Sequence, residues 1–281
     1  MDLIDCASFF DDTSVTAPGS SVELFVGQLE LFDNQMRDGL QTERRILSYD
    51  PRQVFTLPAD GIVSFAGRNW ALGLTSPDTF QSDNIRAAYV AHMLDSQITL
   101  GSAGDFLAGA PRAPVWAGVV WTKDSKDGNG TEEVWSQVTL YTGSGVQADD
   151  GEFALAQGKM WRIRSAHFVA SGVTALDAIE LPSDTSKTIQ WVSAAGYDKI
   201  KQKPVPGATV DVPALVMRFY HDYRLVTQAA ITPKDGDLVA RVQQSAGEIR
   251  AGDAATVDGV SYSVVSVRTF ADGTYWLHLA V

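Results

Sequence analysis

Gly158-Lys159-Met160-Trp161-Arg162-Ile163 is a pattern that the chain contains three times; the other copies are Gly67-Arg68-Asn69-Trp70-Ala71-Leu72 and Gly259-Val260-Ser261-Tyr262-Ser263-Val264. Each reads glycine, two residues, an aromatic, one residue, an apolar. A glycine turns the chain, and large residues then alternate at the strand period of two. Each cassette therefore predicts a β-hairpin feeding its second strand into a core. With 24 glycines in 281 residues, composition alone supplies on the order of one such match. The second and third copies share more. Gly172 and Gly273 follow the cassette glycine at the same interval, and each opens a further apolar strand. The first copy lacks this second glycine. Two readings stand: one small barrel unit repeated, or a single irregular sandwich that reuses a hairpin.

Working outward, valine, threonine and aromatic residues recur in short runs punctuated by Gly, Pro, Asp and Asn, which favours a mostly β chain. Residues 22–26 alternate at period two, and Arg44-Arg45-Ile46-Leu47-Ser48-Tyr49 reads as a strand after a turn. Asp60-Gly61 is a turn signal before Ile62-Val63-Ser64-Phe65. Residues 85–94 fit helical and strand spacing, with strand preferred. Residues 115–122 and 134–141 are aromatic-rich strands, and Asp127-Gly128-Asn129-Gly130 between them predicts a long hairpin. Residues 188–194 and 214–225 predict further strands, and Tyr275-Trp276-Leu277-His278-Leu279 closes the chain with clean alternation.

Two or three small antiparallel β-barrel or sandwich modules follow from this. The expected divisions are a flexible N-terminal arm over 1–21, a first β module over 22–112, a middle module with the long hairpin over 113–203, and a C-terminal barrel over 204–281. Lys203-Pro204-Val205-Pro206-Gly207 is the linker candidate.

The formal net charge of −12 argues against a general nucleic-acid-binding surface, while an acidic wall would let DNA slide past without sticking. The single cysteine, Cys6, leaves no intramolecular disulfide and suits a reducing cytoplasm. The acidic start Met1-Asp2-Leu3-Ile4-Asp5 does not resemble a secretory signal, and no apolar run approaches the length of a membrane span.

Chemistry is sparse. The four histidines, His92, His167, His221 and His278, form no metal-ligand pair, and there is no CxxC. His278 is expected on a solvated face; His92 and His167 are expected to be satisfied structural histidines. His221 and Asp222 are adjacent on an expected strand and so point apart, which is poor geometry for a catalytic pair. The tip around Asp124, Asp127, Asn129, Glu132 and Glu133 offers oxygen ligands, but Lys126 interrupts the calcium-loop order. Trp116, Trp121, Trp135, Trp161 and Trp191 fall in alternating strands, where core packing explains them; exposed tryptophans would instead suit a carbohydrate- or receptor-binding module. The basic residues Arg44, Arg45, Lys126, Lys199, Lys201 and Lys203 are the partner-binding candidates. No cofactor, metal or catalytic residue is expected, and the chain reads as a non-enzyme.

The N-terminal run Asp38-Gly39, Arg44-Arg45-Ile46-Leu47-Ser48, Pro58, Gly61-Ile62-Val63 and Gly67 through Gly73 resembles the small β-barrel proteins of the head-to-tail connector of tailed bacteriophages, the stopper or head-completion proteins. The C-terminal run Gly252-Asp253, Val257 through Val264 and Asp272-Gly273 through Leu279 looks like the same kind of unit. The resemblance covers about half the chain, and residues 113–200 have no counterpart in it. It implies a virion protein of the phage neck, made in the host cytoplasm. Such a protein forms a ring with copies of itself, contacts portal, adaptor and tail proteins, and touches DNA passively, without a membrane.

Overall fold

The computed structural model describes residues 10–16, 23–28, 44–49, 59–65, 67–74, 87–125, 135–170, 173–198, 200, 203–219 and 234–281. They build three successive sets of six antiparallel strands. The first set is β1 (Phe10–Thr16), β2 (Glu23–Gln28), β3 (Arg44–Tyr49), β4 (Ile62–Phe65), β5 (Arg68–Leu74) and β6 (Ala87–Leu94). The second is β7 (Ser96–Gly101), β8 (Val115–Ser125), β9 (Trp135–Gly143), β10 (Phe153–Ala156), β11 (Lys159–Ala170) and β12 (Val173–Glu180), with a short helix α1 (Ala103–Leu107) after β7. The third is β13 (Ser186–Asp198), β14 (Lys203–Arg218), β15 (Leu238–Gln243), β16 (Ala254–Val257), β17 (Val260–Thr269) and β18 (Thr274–Ala280).

The strand order is the same each time. The first sheet runs β1-β2-β3-β6-β5-β4, and the closed barrels run β7-β8-β9-β12-β11-β10 and β13-β14-β15-β18-β17-β16. Each set is a three-strand meander followed by a Greek-key return that lays the sixth strand beside the third. The three cassettes occupy one position in this plan, the turn from the fourth strand to the fifth. Phe65 pairs with Arg68, Ala156 with Lys159 and Val257 with Val260, so each turn has a two-residue loop. Gly67, Gly158 and Gly259 take φ of 71°, 75° and 80°, and Gln157 and Asp258 before the last two sit at 50°. Positive φ at both loop residues is the type I′ turn, whose twist matches that of the strands. The second shared glycine also has one position: residue 172 precedes β12 and Gly273 precedes β18. In the first set residues 75–86 join β5 to β6, which is why that copy lacks it. A repeated unit, rather than one irregular sandwich, accounts for the cassettes.

By compactness the chain divides into two units: Met1–Ile98, Pro114–Asp150 and Ile163–Glu180 form one, and Thr99–Ala113, Gly151–Arg162 and Leu181–Val281 the other. In the first, Ala71, Leu94 and Val173 form a buried cluster with Ile62 and Tyr141 against it. Gly143 lets two segments meet there, since a Cβ at this position would lie 1.8 Å from the Asp60 carbonyl oxygen.

The second unit shows how alternation builds a barrel. Ile189 and Trp191 of β13, Val212, Ala214 and Val216 of β14, Ala240 and Val242 of β15, and Leu277 and Leu279 of β18 all enter one core. The intervening positions Leu215, Met217, Val239 and Trp276 form a second cluster on the other face, with Ala103 of α1, Phe153 and Leu181. Strands buried on both faces read as apolar runs, as Ala214-Leu215-Val216-Met217 does. The helix reaches this layer because Gly104 has no side chain: a Cβ there would lie 2.1 Å from the Asp272 carbonyl oxygen. Ser102 and Asp105 form a capping box at its start, which satisfies free amide groups of the first turn.

Most strand expectations hold, including β6 over the ambiguous 85–94 stretch and the β8–β9 hairpin. Two segments differ. Lys203-Pro204-Val205-Pro206-Gly207 is the first part of β14, not a linker, because backbone pairing to β13 holds it. Residues 10–16 of the expected arm pair with β2 as β1. Among the described residues no helix is long and apolar enough to cross a membrane.

Candidate partner-binding surface

β13 and β14 are longer than the barrel needs. β13 pairs with β16 only at Gln190, Trp191 and Val192, and β14 pairs with β15 only from Ala214 onward. The two strands nevertheless stay paired to each other out to Asp198 opposite Lys203. Residues 193–198 and 203–208 thus form a pair of strands that continues past the barrel. Its connection holds Ile200, which is 94% exposed. A side chain this exposed adds nothing to the chain's own core.

The base of the hairpin is braced by polar groups. The Trp191 indole N–H donates to the Asp253 carboxylate at 3.0 Å, and the Arg250 backbone N–H donates to the same oxygen at 2.8 Å. Lys187 bridges the carboxylates of Asp184, at 2.6 Å, and Asp258. Those hydrogen bonds hold the ammonium above the usual lysine range and, on the other side, Asp184 below the usual carboxylate range.

Elsewhere in this unit Arg241 is buried beneath the Phe270 ring, 4.1 Å from its centroid, and donates to Asp272 at 2.8 Å and to the Thr274 hydroxyl at 2.6 Å. A buried guanidinium is tolerated because ring and carboxylate together replace its water. His278 is a correction to the expected solvated face: it is 5% exposed and its Nε2 lies 2.9 Å from Asp237 Oδ2. β18 lies between β15 and β17 with both faces covered, so alternation there separates two buried layers instead of core from solvent. Burial alone would raise the Asp237 carboxyl, but the Lys234 N–H, His278 and the Val281 N–H outweigh it and hold it below the ordinary range.

In the first unit Asp177 accepts from Thr139 and from Ser165, each at 2.9 Å, and lies 3.6 Å from His167 Nδ1. Serine, histidine and aspartate come together here, but the carboxylate sits in the middle and the hydroxyl bonds to it instead of to the imidazole. That order cannot pass a serine proton to histidine. The His167 side chain is 52% exposed. It is therefore a surface group, contrary to the expected structural one, because β11 runs beyond its buried stretch into residues exposed on both faces. His92 is buried and stacked on Tyr141 with centroids 5.4 Å apart, as expected of a structural histidine.

Trp161 and Trp191 are core residues, whereas Trp116 is 37% exposed, which corrects the expectation of core packing for it. It sits opposite Gln97 at the start of β8, before that strand meets β9. Of the partner-binding candidates, Arg44 and Arg45 lie on β3, paired with His92 and Ala91. Lys203 opens β14. Lys126, Lys199 and Lys201 lie outside the described residues, as do His221, Asp222, Asp127, Asn129, Glu132 and Glu133. Among the described candidates, Arg44 and Arg45 are strand residues of the first sheet and Lys203 of the last barrel. The Asp177 row, Arg241–Asp272 and Trp191–Asp253 were not read from the sequence, because their partners lie on different strands and no local spacing marks them.

A six-stranded sheet and two closed six-stranded barrels of one strand order define a β-repeat protein. No family model matches the chain, and neither a curated protein nor a solved structure matches it.

Proposed function

We propose that this chain is a structural, non-catalytic protein of the tailed-phage neck, assembling with copies of itself as a ring that joins the portal and adaptor to the tail. The supporting observation is the pairing of closed barrels with a hairpin that outruns its barrel. Closure removes sheet edges and makes a self-contained body; the hairpin supplies an edge and an exposed tip by which that body holds a neighbour. The net charge of −12 suits a channel wall past which DNA slides and is retained or released without adhesion. Arg44, Arg45, Lys126, Lys199, Lys201 and Lys203 are the contacts to acidic neighbours. The protein works in the virion after synthesis in the host cytoplasm.

Immunogold electron microscopy on particles from the source lysate tests this. Label at the neck is expected, and particles without label would defeat the proposal. The exposed Trp116 favours a second reading, a carbohydrate- or receptor-binding β module of the tail. Label at the distal tail, with tryptophan fluorescence quenched by glycans, would select it.

A further inference from the structure

We infer that Asp235-Gly236 is a modification site of the folded protein, where the aspartyl bond rearranges without an enzyme to isoaspartate. The inference is independent of the proposed neck function and concerns the third set of strands alone.

Aspartate before glycine is the step at which this rearrangement is least hindered, because the attacking nitrogen belongs to a residue with no side chain. The Gly236 N–H gives up its proton and the nitrogen bonds to the Asp235 Cγ. A hydroxyl leaves that carbon, so water departs and a cyclic succinimide remains. Water then opens the ring. Attack at the Cγ carbonyl restores aspartate, whereas attack at the Cα carbonyl leaves the main chain running through the former side chain, which is isoaspartate. The water lost is regained, so mass is unchanged. The first step needs a carboxyl group free to turn toward the next amide; one fixed by cations or N–H donors is not.

Such steps among the described residues are Asp60-Gly61, Asp150-Gly151, Asp235-Gly236, Asp258-Gly259 and Asp272-Gly273. All but one are held. Asp272 accepts from Arg241, from the Gly104 N–H, and from the N–H and hydroxyl of Thr274. Asp258 accepts from Lys187 and sits in the tight turn closed by the Val257–Val260 pair. Asp60 accepts the Ile62 N–H at 3.1 Å, and Gly61 after it is buried. Asp150 also has a partner, and the Gly151 carbonyl accepts from Arg162. Asp235 differs. It and Gly236 are both exposed, and its carboxylate has no hydrogen bond or ion pair among the described residues.

Position gives the modification an effect. Lys234 to Asp237 is a β-turn: the Asp237 N–H donates to the Lys234 carbonyl at 3.1 Å, and the Lys234 N–H donates to the Asp237 carboxylate at 2.9 Å. Gly236 takes the third place with a φ of 92°, as a type II turn requires. Isoaspartate adds a main-chain carbon inside this turn, which both bonds span. Asp237 is the buried partner of His278. The lengthened turn therefore pulls at the pair that ties the start of β15 to β18.

Warm incubation of the full chain at neutral pH tests this, with peptide mapping by electron-transfer fragmentation to separate the two isomers. Isoaspartate should collect at least about tenfold faster at 235 than at 272, a difference that denaturant should level. Asp235→Glu, whose longer side chain would have to close a larger ring, should stay unmodified there and fold as wild type, since the position is exposed. Hydrogen exchange reads the consequence: amides of 237–239 should lose protection in aged wild type and keep it in aged Asp235→Glu. A folded chain in which 235 reacts no faster than 272 overturns the inference. Isoaspartate at 235 with unchanged exchange at 237–239 overturns the coupling to His278.

Discussion

Asp237 concentrates several constraints in one side chain. It is buried, faces His278 at 2.9 Å and accepts the Lys234 N–H at 2.9 Å. Replacing it by Asn removes the charge while keeping the shape, and should cost about 1–3 kcal/mol at neutral pH. Because its carboxyl is held below the usual aspartate range, the stability it adds is present above the unfolded chain's value and fades as pH falls through the lower, folded one. Urea midpoints of wild type and Asp237→Asn should therefore converge in acid and separate near neutrality. Glycines offer a second test at this scale. A Cβ on Gly158 or Gly259 meets nothing within 4 Å, so alanine there costs only the positive φ, about 1–2 kcal/mol. At Gly104 the same methyl would collide with the Asp272 backbone, and Gly104→Ala should destabilise well beyond either, by about 3 kcal/mol or more. Denaturant melts of the three variants rank them directly.

At the scale of elements, the cassette hairpins were legible because their signal is local. Glycine position, loop length and period-two alternation lie within a few residues, and all three turned out to mark one step of one topology. What lay beyond reach was anything that a distant strand decides. His278 alternates with Leu277 and Leu279 as a solvent-facing residue would, and only the second buried layer, which includes Trp276, reverses that reading. Likewise Lys203-Pro204-Val205-Pro206-Gly207 has a linker's composition and becomes strand because β13 lies beside it. Of the candidate binding surface, Lys203 was visible as charge, but the paired strand that it opens was not. The turn chemistry supports one further prediction. Gln157 holds a φ of 50°, which asparagine tolerates better, so Gln157→Asn should raise stability by about 0.5 kcal/mol in the same denaturant assay.

For the whole molecule, repetition is the governing fact: one strand order recurs in the first sheet and in both closed barrels. The identical strand order of the three sets also bears on how the protein comes to be made. Refolding from denaturant exposes three sets of strands of one order at once, and swapped or tangled products are the characteristic failure of repeat chains. Synthesis from the N-terminus lets an early set close before its look-alike has left the ribosome. A chain of this plan depends on the timing of its own emergence to keep like strands apart.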